Sequence, residues 1–325
     1  MDDRLKDFRN FLFVTWEHLN LPSPTPIQYD IAQYLQNGPK RCCIQAFRGV
    51  GKSWITSAFV IHQLFLDPTK NILVVSASKQ RADDFSTFTL RLIEEMPILQ
   101  HLLPRESQRS SKIAFDVGPA PAAHAPSVTS RGITGQITGA RADLVVSDDV
   151  ESLNNSMTQT ARDKLTEAVK EFDAVLKPDG RICYLGTPQT EFSIYSDLPG
   201  RGYDTRVWPA RYPDSKTKTN LGDLLSPKIA KELKDNPELA NNPTDPKRFD
   251  DLDLAEREAS YGKMGFTLQF MLDTSLADMD RYPLKLSDLI VMNCNPNNAP
   301  EKVIWSASPD SVSYTHLTLP TNREV

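Results

Sequence analysis

No run of the 325 residues approaches the roughly 18 consecutive apolar side chains that a membrane span needs, and the start Met1-Asp2-Asp3-Arg4 lacks the layout of a secretion signal. A membrane-embedded or exported protein is not expected. An excess of positive charge is also missing. The formal net charge is −5, which speaks against a protein that coats nucleic acid without specificity, because such binding comes from neutralising many phosphates; a local basic surface stays open. The four cysteines, Cys42, Cys43, Cys183 and Cys294, have no CxxC spacing, and three lie in apolar, strand-like runs. Reduced, buried thiols and a cytosolic setting follow. His18, His62, His101 and His124 lack metal-ligand spacing and read as structural. No repeat in the roughly 20–50 residue range, no paired-carboxylate hydrolase site and no Ser-His-Asp order stands out.

What is present is length and alternation. The chain is long enough for one large α/β domain with an attachment, since single cores stop growing at roughly 250–300 residues. Leu5, Phe8, Phe11, Leu12, Trp16 and Leu19 recur at helical steps, and a second helix follows Pro26 and stops at Asn37-Gly38-Pro39. Cys42 to Ala46 is a short buried strand, Ser53 to Leu66 a helix, Asn71 to Ser76 a strand, and Arg81 to Met96 a helix. Lys112 to Val117 and Ser127 to Thr134 read as strands, Leu144 to Ser147 as a buried one, Thr160 to Leu176 as a helix and Ile182 to Leu185 as another strand. Short apolar strands alternating with helices predict an α/β, doubly wound, mostly parallel sheet covered on both faces. The segment after Pro213 is polar and rich in proline, with helical patterns at Ser226 to Lys234 and Asp251 to Phe270. The expected division is a sheet domain over 1–212, a small helical lid or linker over 213–290, and an end segment over 291–325.

Ala46-Phe47-Arg48-Gly49-Val50-Gly51-Lys52-Ser53 fits the phosphate-binding pattern GxxxxGK[ST] except that Ala46 replaces the first glycine. Its place between a buried strand and a helix is what the chemistry demands: loop N–H groups and the helix N-terminus meet the β- and γ-phosphates, Lys52 adds a point charge, and Ser53 ligates Mg²⁺. The same chemistry needs an acid at the end of a buried strand, and Leu144-Val145-Val146-Ser147-Asp148-Asp149 supplies it. Asp148 is assigned to the metal and Asp149 to activation of the attacking water, with the longer Glu151 as the rival base. The bland alternative is a turn acid that caps the next helix.

These runs resemble the large terminase subunit of short-tailed bacteriophages, also called DNA maturase B. The resemblance is carried by Ile44 to Ser53, Val75-Ser76-Ala77-Ser78-Lys79, Gly132 to Asp143, Leu185-Gly186-Thr187-Pro188-Gln189 and Tyr261 to Phe270, and spans about residues 8 to 290. It implies a P-loop fold and a Mg²⁺-dependent ATPase that drives double-stranded DNA into a procapsid. It also implies a portal protein, a small terminase subunit and a ring of copies as partners, with no membrane, in the host cytoplasm and transiently at the portal. In such motors the loop arginine, here Arg48, contacts the phosphates or signals ATP occupancy, and a small residue such as Ala46 commonly opens the loop. Gly186-Thr187-Pro188 resembles the motif that couples hydrolysis to movement, the bland reading being a turn. Pro24-Thr25-Pro26-Ile27-Gln28 resembles an adenine-recognising motif in which Gln28 makes two hydrogen bonds to the base. Arg141 either stabilises transferred-phosphate charge, in its own subunit or from a neighbour, or is a solvated charge. The family continues into a metal-dependent nuclease that this chain stops short of, so DNA cleavage is not expected of it. Residues 311–325 leave the family pattern and read as non-native. A helicase-like ATPase and an inactive portal-binding module are the alternatives.

Overall fold

Hydroxyl and carboxylate caps decide where most of the helices begin. Asp7, Thr25, Ser78 and Thr158 each accept a backbone N–H at the start of α1 (Phe8–His18), α2 (Pro26–Asn37), α4 (Lys79–Glu95) and α6 (Gln159–Val175). The structure, a computed structural model, describes residues 2–190 and 192–275, and beyond them only the backbone of two strands. The strands are β1 (Arg41–Ala46), β2 (Ile72–Ser76), β3 (Ala114–Phe115), β4 (Val128–Gly132), β5 (Ala142–Asp148), β6 (Leu176–Gly186) and β7 (Asp204–Trp208). The remaining helices are α3 (Lys52–Leu66), the one-turn α5 (Leu153–Ser156) and α7 (Ile194–Asp197), α8 (Ser215–Leu221), α9 (Pro227–Asp235) and α10 (Asp251–Gln269).

The sheet runs β3-β4-β2-β5-β6-β1-β7, parallel throughout except for the short edge strand β3. Side chains alternate across it. Cys42, Ile44, Val74, Val146 and Leu185 join one apolar cluster with α1 to α4, while Cys43, Leu73, Val75, Val145 and Tyr184 join another with α6. Both faces are thus covered, as all-apolar parallel strands require. The α/β, doubly wound reading is therefore what the sheet displays. Leu221, Leu225, Ile229, Leu233, Phe249, Leu254, Phe266 and Phe270 extend the first cluster into the polar segment after residue 213.

Some local expectations differ from the structure. The run 112–117 forms only the two-residue β3, β6 begins at Leu176 where the preceding helix was expected to end, and β7 was not expected at all. The pattern 251–270 is not one continuous helix, because Gly262 sits at φ 68°, ψ 163° and breaks it. Met1–Arg281 forms one unit and Tyr282–Val325 another. Within the latter, β8 (Val303–Ile304) pairs antiparallel with β9 (Tyr314–Thr315); otherwise the expected non-native end at 311–325, like Cys294, lies outside the described residues. Cys42, Cys43 and Cys183 are free and buried, and among the described residues no helix is long and apolar enough to cross a membrane.

Candidate functional site

Because β6 lies between β1 and β5, the carboxyl ends of these three strands meet at one edge of the sheet. Gln45 pairs with Gly186, and Leu185 pairs with Asp148, so the residues that follow each strand share a level. Open parallel sheets bind ligands at this edge. A cavity of about 580 Å³ opens there, lined by Arg48, Gly49, Gly51, Lys52, Ser53, Asp149, Glu151 and Thr187 among others.

The loop from Ala46 to Ser53 leaves β1 and turns sharply into α3. Gly49 and Gly51 have φ of 92° and 94°, a region in which a side chain is strained. The Phe47 N–H donates to Trp208 O at 3.1 Å, so the unforeseen strand β7 anchors the start of the loop. Lys52 is 6% exposed; its Nζ donates to Ala46 O at 2.9 Å and to Thr187 Oγ1 at 2.7 Å. Burial pulls the Lys52 ammonium below its usual range, and the charges of Asp149 and Asp148 hold it up. Lys52 thus joins the loop to the end of β6, where Thr187 Oγ1 in turn donates to Ala46 O at 3.1 Å. Gly186 must be small: a Cβ there would lie 2.0 Å from the Tyr195 ring.

Asp148 is buried, and burial together with the charge of Asp149 pushes its carboxyl up to about 7, while the Ser53 hydroxyl draws it back down. Its Oδ1 is buried and has no hydrogen-bond partner. A buried, unpartnered carboxylate oxygen beside a hydroxyl is the hard-oxygen pair that suits Mg²⁺. Asp149 takes a left-handed backbone, φ 47°, held by its N–H donating to Leu185 O at 2.8 Å, and it lines the cavity.

Glu151 is 2% exposed and its carboxylate is already engaged. Oε1 accepts from Gln189 N at 2.7 Å, and Oε2 from Ser193 Oγ at 2.8 Å and Ile194 N at 2.9 Å. Burial nevertheless raises its pKa, with those hydrogen bonds opposing. The residue clamps the stretch after β6 to the stretch after β5.

Three consecutive loop residues are gripped from outside the sheet. Arg48 Nη1 donates to Gln269 Oε1 at 2.7 Å, and its backbone N–H to Gln269 O at 3.1 Å. Arg248 Nε donates to Gly49 O at 2.6 Å, and a Cβ on Gly49 would lie 2.7 Å from the Phe249 ring. Gln28 Nε2 donates to Val50 O at 2.8 Å. Gln28 Oε1 accepts from Thr25 N at 3.0 Å in the capping box of α2, and the side chain is 1% exposed. The amide expected to read adenine therefore gives one hydrogen bond to the loop and accepts one from its own helix cap.

Arg141 is not at this edge. It precedes β5, and at about 3.3 Å per residue the strand puts it roughly 20 Å from Asp148. Placed there, it does not line the phosphate cavity of its own chain. It lines a separate cavity of about 210 Å³ with His124 and Arg131. Sequence reasoning missed Arg81, Arg248 and Gln189, all of which line the main cavity, and Gln269, which holds Arg48. Arg81, Gln189 and Gln269 stand in or beside runs that carried the resemblance; Arg248 had no local signal.

Comparison with known proteins adds an origin to this geometry. No family model matches the chain. It is 52% identical over 305 residues to the terminase large subunit of Enterobacteria phage T3; the match covers 92% of this chain and 52% of that protein, so the chain spans about half the relative's length. Among solved structures, the large terminase ATPase domain of Thermus phage P74-26 is similar at 15% identity and a TM-score of 0.43, over 80% of this chain and 96% of that one. The yeast DEAD-box splicing factor Prp28 is similar at 14% identity and a TM-score of 0.41, over 62% and 49%. At such scores the fold rests on the sheet order above and not on these likenesses.

Proposed function

The chain belongs to the terminase large-subunit family, and we propose that it is a P-loop ATPase that uses hydrolysis to drive double-stranded viral DNA into a procapsid. The observation that supports the ATPase most directly is the meeting of Lys52, Asp148, Asp149 and Thr187 at one strand edge, where Lys52, Asp149 and Thr187 line a cavity together with Arg48, Arg81 and Arg248. ATP phosphates would lie over the loop from Ala46 to Ser53, against its N–H groups and the start of α3. Ser53 and Asp148 would hold Mg²⁺, which neutralises phosphate charge when bound. Asp149 accepts the proton of, or orients, the attacking water, because it lines the cavity with a carboxylate that has no hydrogen-bond partner among the described residues, while that of Glu151 is occupied. Arg48 senses the phosphates. Thr187, bonded to Lys52 and followed by Pro188, carries loss of the γ-phosphate into the stretch that Glu151 clamps.

For the motor, family membership is the support. The partners follow from that reading: duplex DNA, the portal protein, a small terminase subunit and further copies in a ring, in the host cytoplasm and transiently at the portal. In such a ring Arg141, far from its own site, would reach a neighbour's phosphates.

Steady-state ATP hydrolysis by the chain, with and without duplex DNA, tests the ATPase beside Lys52→Ala and Asp148→Ala. Both substitutions are expected to reduce turnover by roughly a hundredfold or more. Turnover in the variants comparable to the unsubstituted chain would sink the proposed site, and stimulation by single strands with strand separation would favour a helicase over a packaging motor.

A further inference from the structure

Arg248 is a cation whose binding capacity the protein itself leaves largely unspent. It lies in the polar stretch after residue 213, outside every motif, yet it lines the nucleotide cavity. Its backbone is fixed: the Arg248 and Phe249 N–H groups donate to Asp245 O at 3.0 and 2.9 Å, and Asp245 Oδ2 accepts from Thr25 Oγ1 at 2.8 Å. The Phe249 ring meanwhile packs on Gly49. The guanidinium is therefore held over the phosphate loop before any ligand arrives. Its Nη2 is 3.9 Å from where a Cβ on Gly51 would sit, and its one hydrogen bond among the described residues is the Nε donation to Gly49 O. A guanidinium has five N–H donors, so four are without a protein partner among the described residues.

Of the other cations of the cavity, Lys52 is more committed, Arg48 likewise gives one side-chain hydrogen bond, and Arg81 gives none among the described residues. Lys52 spends its donors on Ala46 O and Thr187, and Arg48 is tied to Gln269. Orienting a planar donor fork in advance lowers the entropy lost when a polyphosphate oxygen binds it.

We infer that Arg248 is a direct phosphate contact of the nucleotide site, supplied by the segment after the sheet and closing the phosphate loop from its outer side. The inference rests on the nucleotide reading above and adds a ligand-binding residue to it. Through this contact a bound polyphosphate is linked to the segment that also carries Phe249 and Gln269.

Equilibrium binding of ATP and of inorganic tripolyphosphate to the full chain tests this, with Arg248→Ala, Arg248→Lys and Lys52→Ala in parallel and thermal unfolding of each. Arg248→Ala is expected to weaken both ligands about tenfold, to flatten the salt dependence of binding, and to leave the unfolding temperature nearly unchanged. Arg248→Lys should recover part of the loss. Affinity within about twofold of the unsubstituted chain overturns the inference while Lys52→Ala still reports on the site. A loss seen with ATP but not with tripolyphosphate also overturns it, since the contact would then be to base or sugar. No binding of ATP by the unsubstituted chain would remove the nucleotide reading itself and this inference with it.

Discussion

Beneath the phosphate loop, three adjacent strand ends present Lys52, Asp148 and Thr187 from a hydrogen-bonded sheet buried on both faces. On its other side the segment after residue 213 presents Arg248 and Gln269, which bond the loop through their side chains, and Phe249, whose ring packs on Gly49. The strand edge concentrates charge that needs a partner: a buried lysine, a buried aspartate oxygen without a donor, and an aspartate in a left-handed conformation. The outer segment holds the loop's shape, bonding to Gly49 O and to the arginine that precedes it. On the proposed reading the chemistry belongs to the strand edge, and the grip on the loop belongs to a segment that is itself packed into the first apolar cluster.

The sharpest way to break that division is to exchange the two acids after β5. Asp149→Asn is expected to lower kcat roughly a hundredfold or more while ATP binding persists, because only the group facing the water is lost. Glu151→Ala should act mainly on stability. It strands the Gln189 and Ile194 N–H groups and the Ser193 hydroxyl in a buried place, at about 1–3 kcal/mol per group. Kinetics and thermal unfolding of both variants decide between them. A Glu151→Gln variant that unfolds like the unsubstituted chain yet has no turnover would reverse the assignment.

A smaller effect tests whether the outer segment does more than cover the core. Gln269 Oε1 accepts from Arg48, and Gln269 Nε2 donates to Gln189 Oε1 at 3.3 Å, while Gln189 bonds both Thr187 O and Glu151. Gln269→Leu keeps the bulk and removes both bonds. A fall in turnover of about tenfold is expected, with Arg48→Leu similar and the double substitution no worse, since residues acting in one chain of bonds are not additive. Additive losses, or lower stability with normal turnover, would make the segment simple packing.

The strand edge was legible because its signals are local. An all-apolar strand, two glycines, a lysine and a strand-end acid pair are each readable within ten residues, and β-α alternation set the sheet. The outer grip was not, because Thr25 to Asp245 and Gly49 to Arg248 join residues about two hundred positions apart, with no period to mark them. Gln28 shows the same limit from the other side. Its place after Thr-Pro-Ile marked it as a base reader, and only the packing of α2 against the loop turns its amide toward Val50 O. β7 escaped notice because its five residues, Asp204 to Trp208, hold only two apolar side chains and so carry a weak pattern.

Within α3 itself the comparison can be drawn once more, and most finely. Lys52 and His62 are both buried on this helix, and burial pulls the pKa of each downward. Lys52 is compensated by two aspartates and by acceptors. His62 lies between the rings of Phe8 and Phe11, each 5.1 Å away, with Nε2 against Leu5 O at 3.1 Å and Nδ1 without a partner. Its pKa falls from 6.5 to about 4. In that window the unfolded chain binds more protons than the folded one, so stability is fully present above the unfolded value and is lost as pH falls from 6.5 toward about 4, by about 3 kcal/mol in all. His62→Phe removes the titrating group and should flatten this acid limb of the urea midpoint against pH, with turnover near neutral pH unchanged. Parallel profiles for the two proteins would mean that His62 is not held neutral, and that the buried flank of α3 is no more sensitive to acid than the rest of the fold.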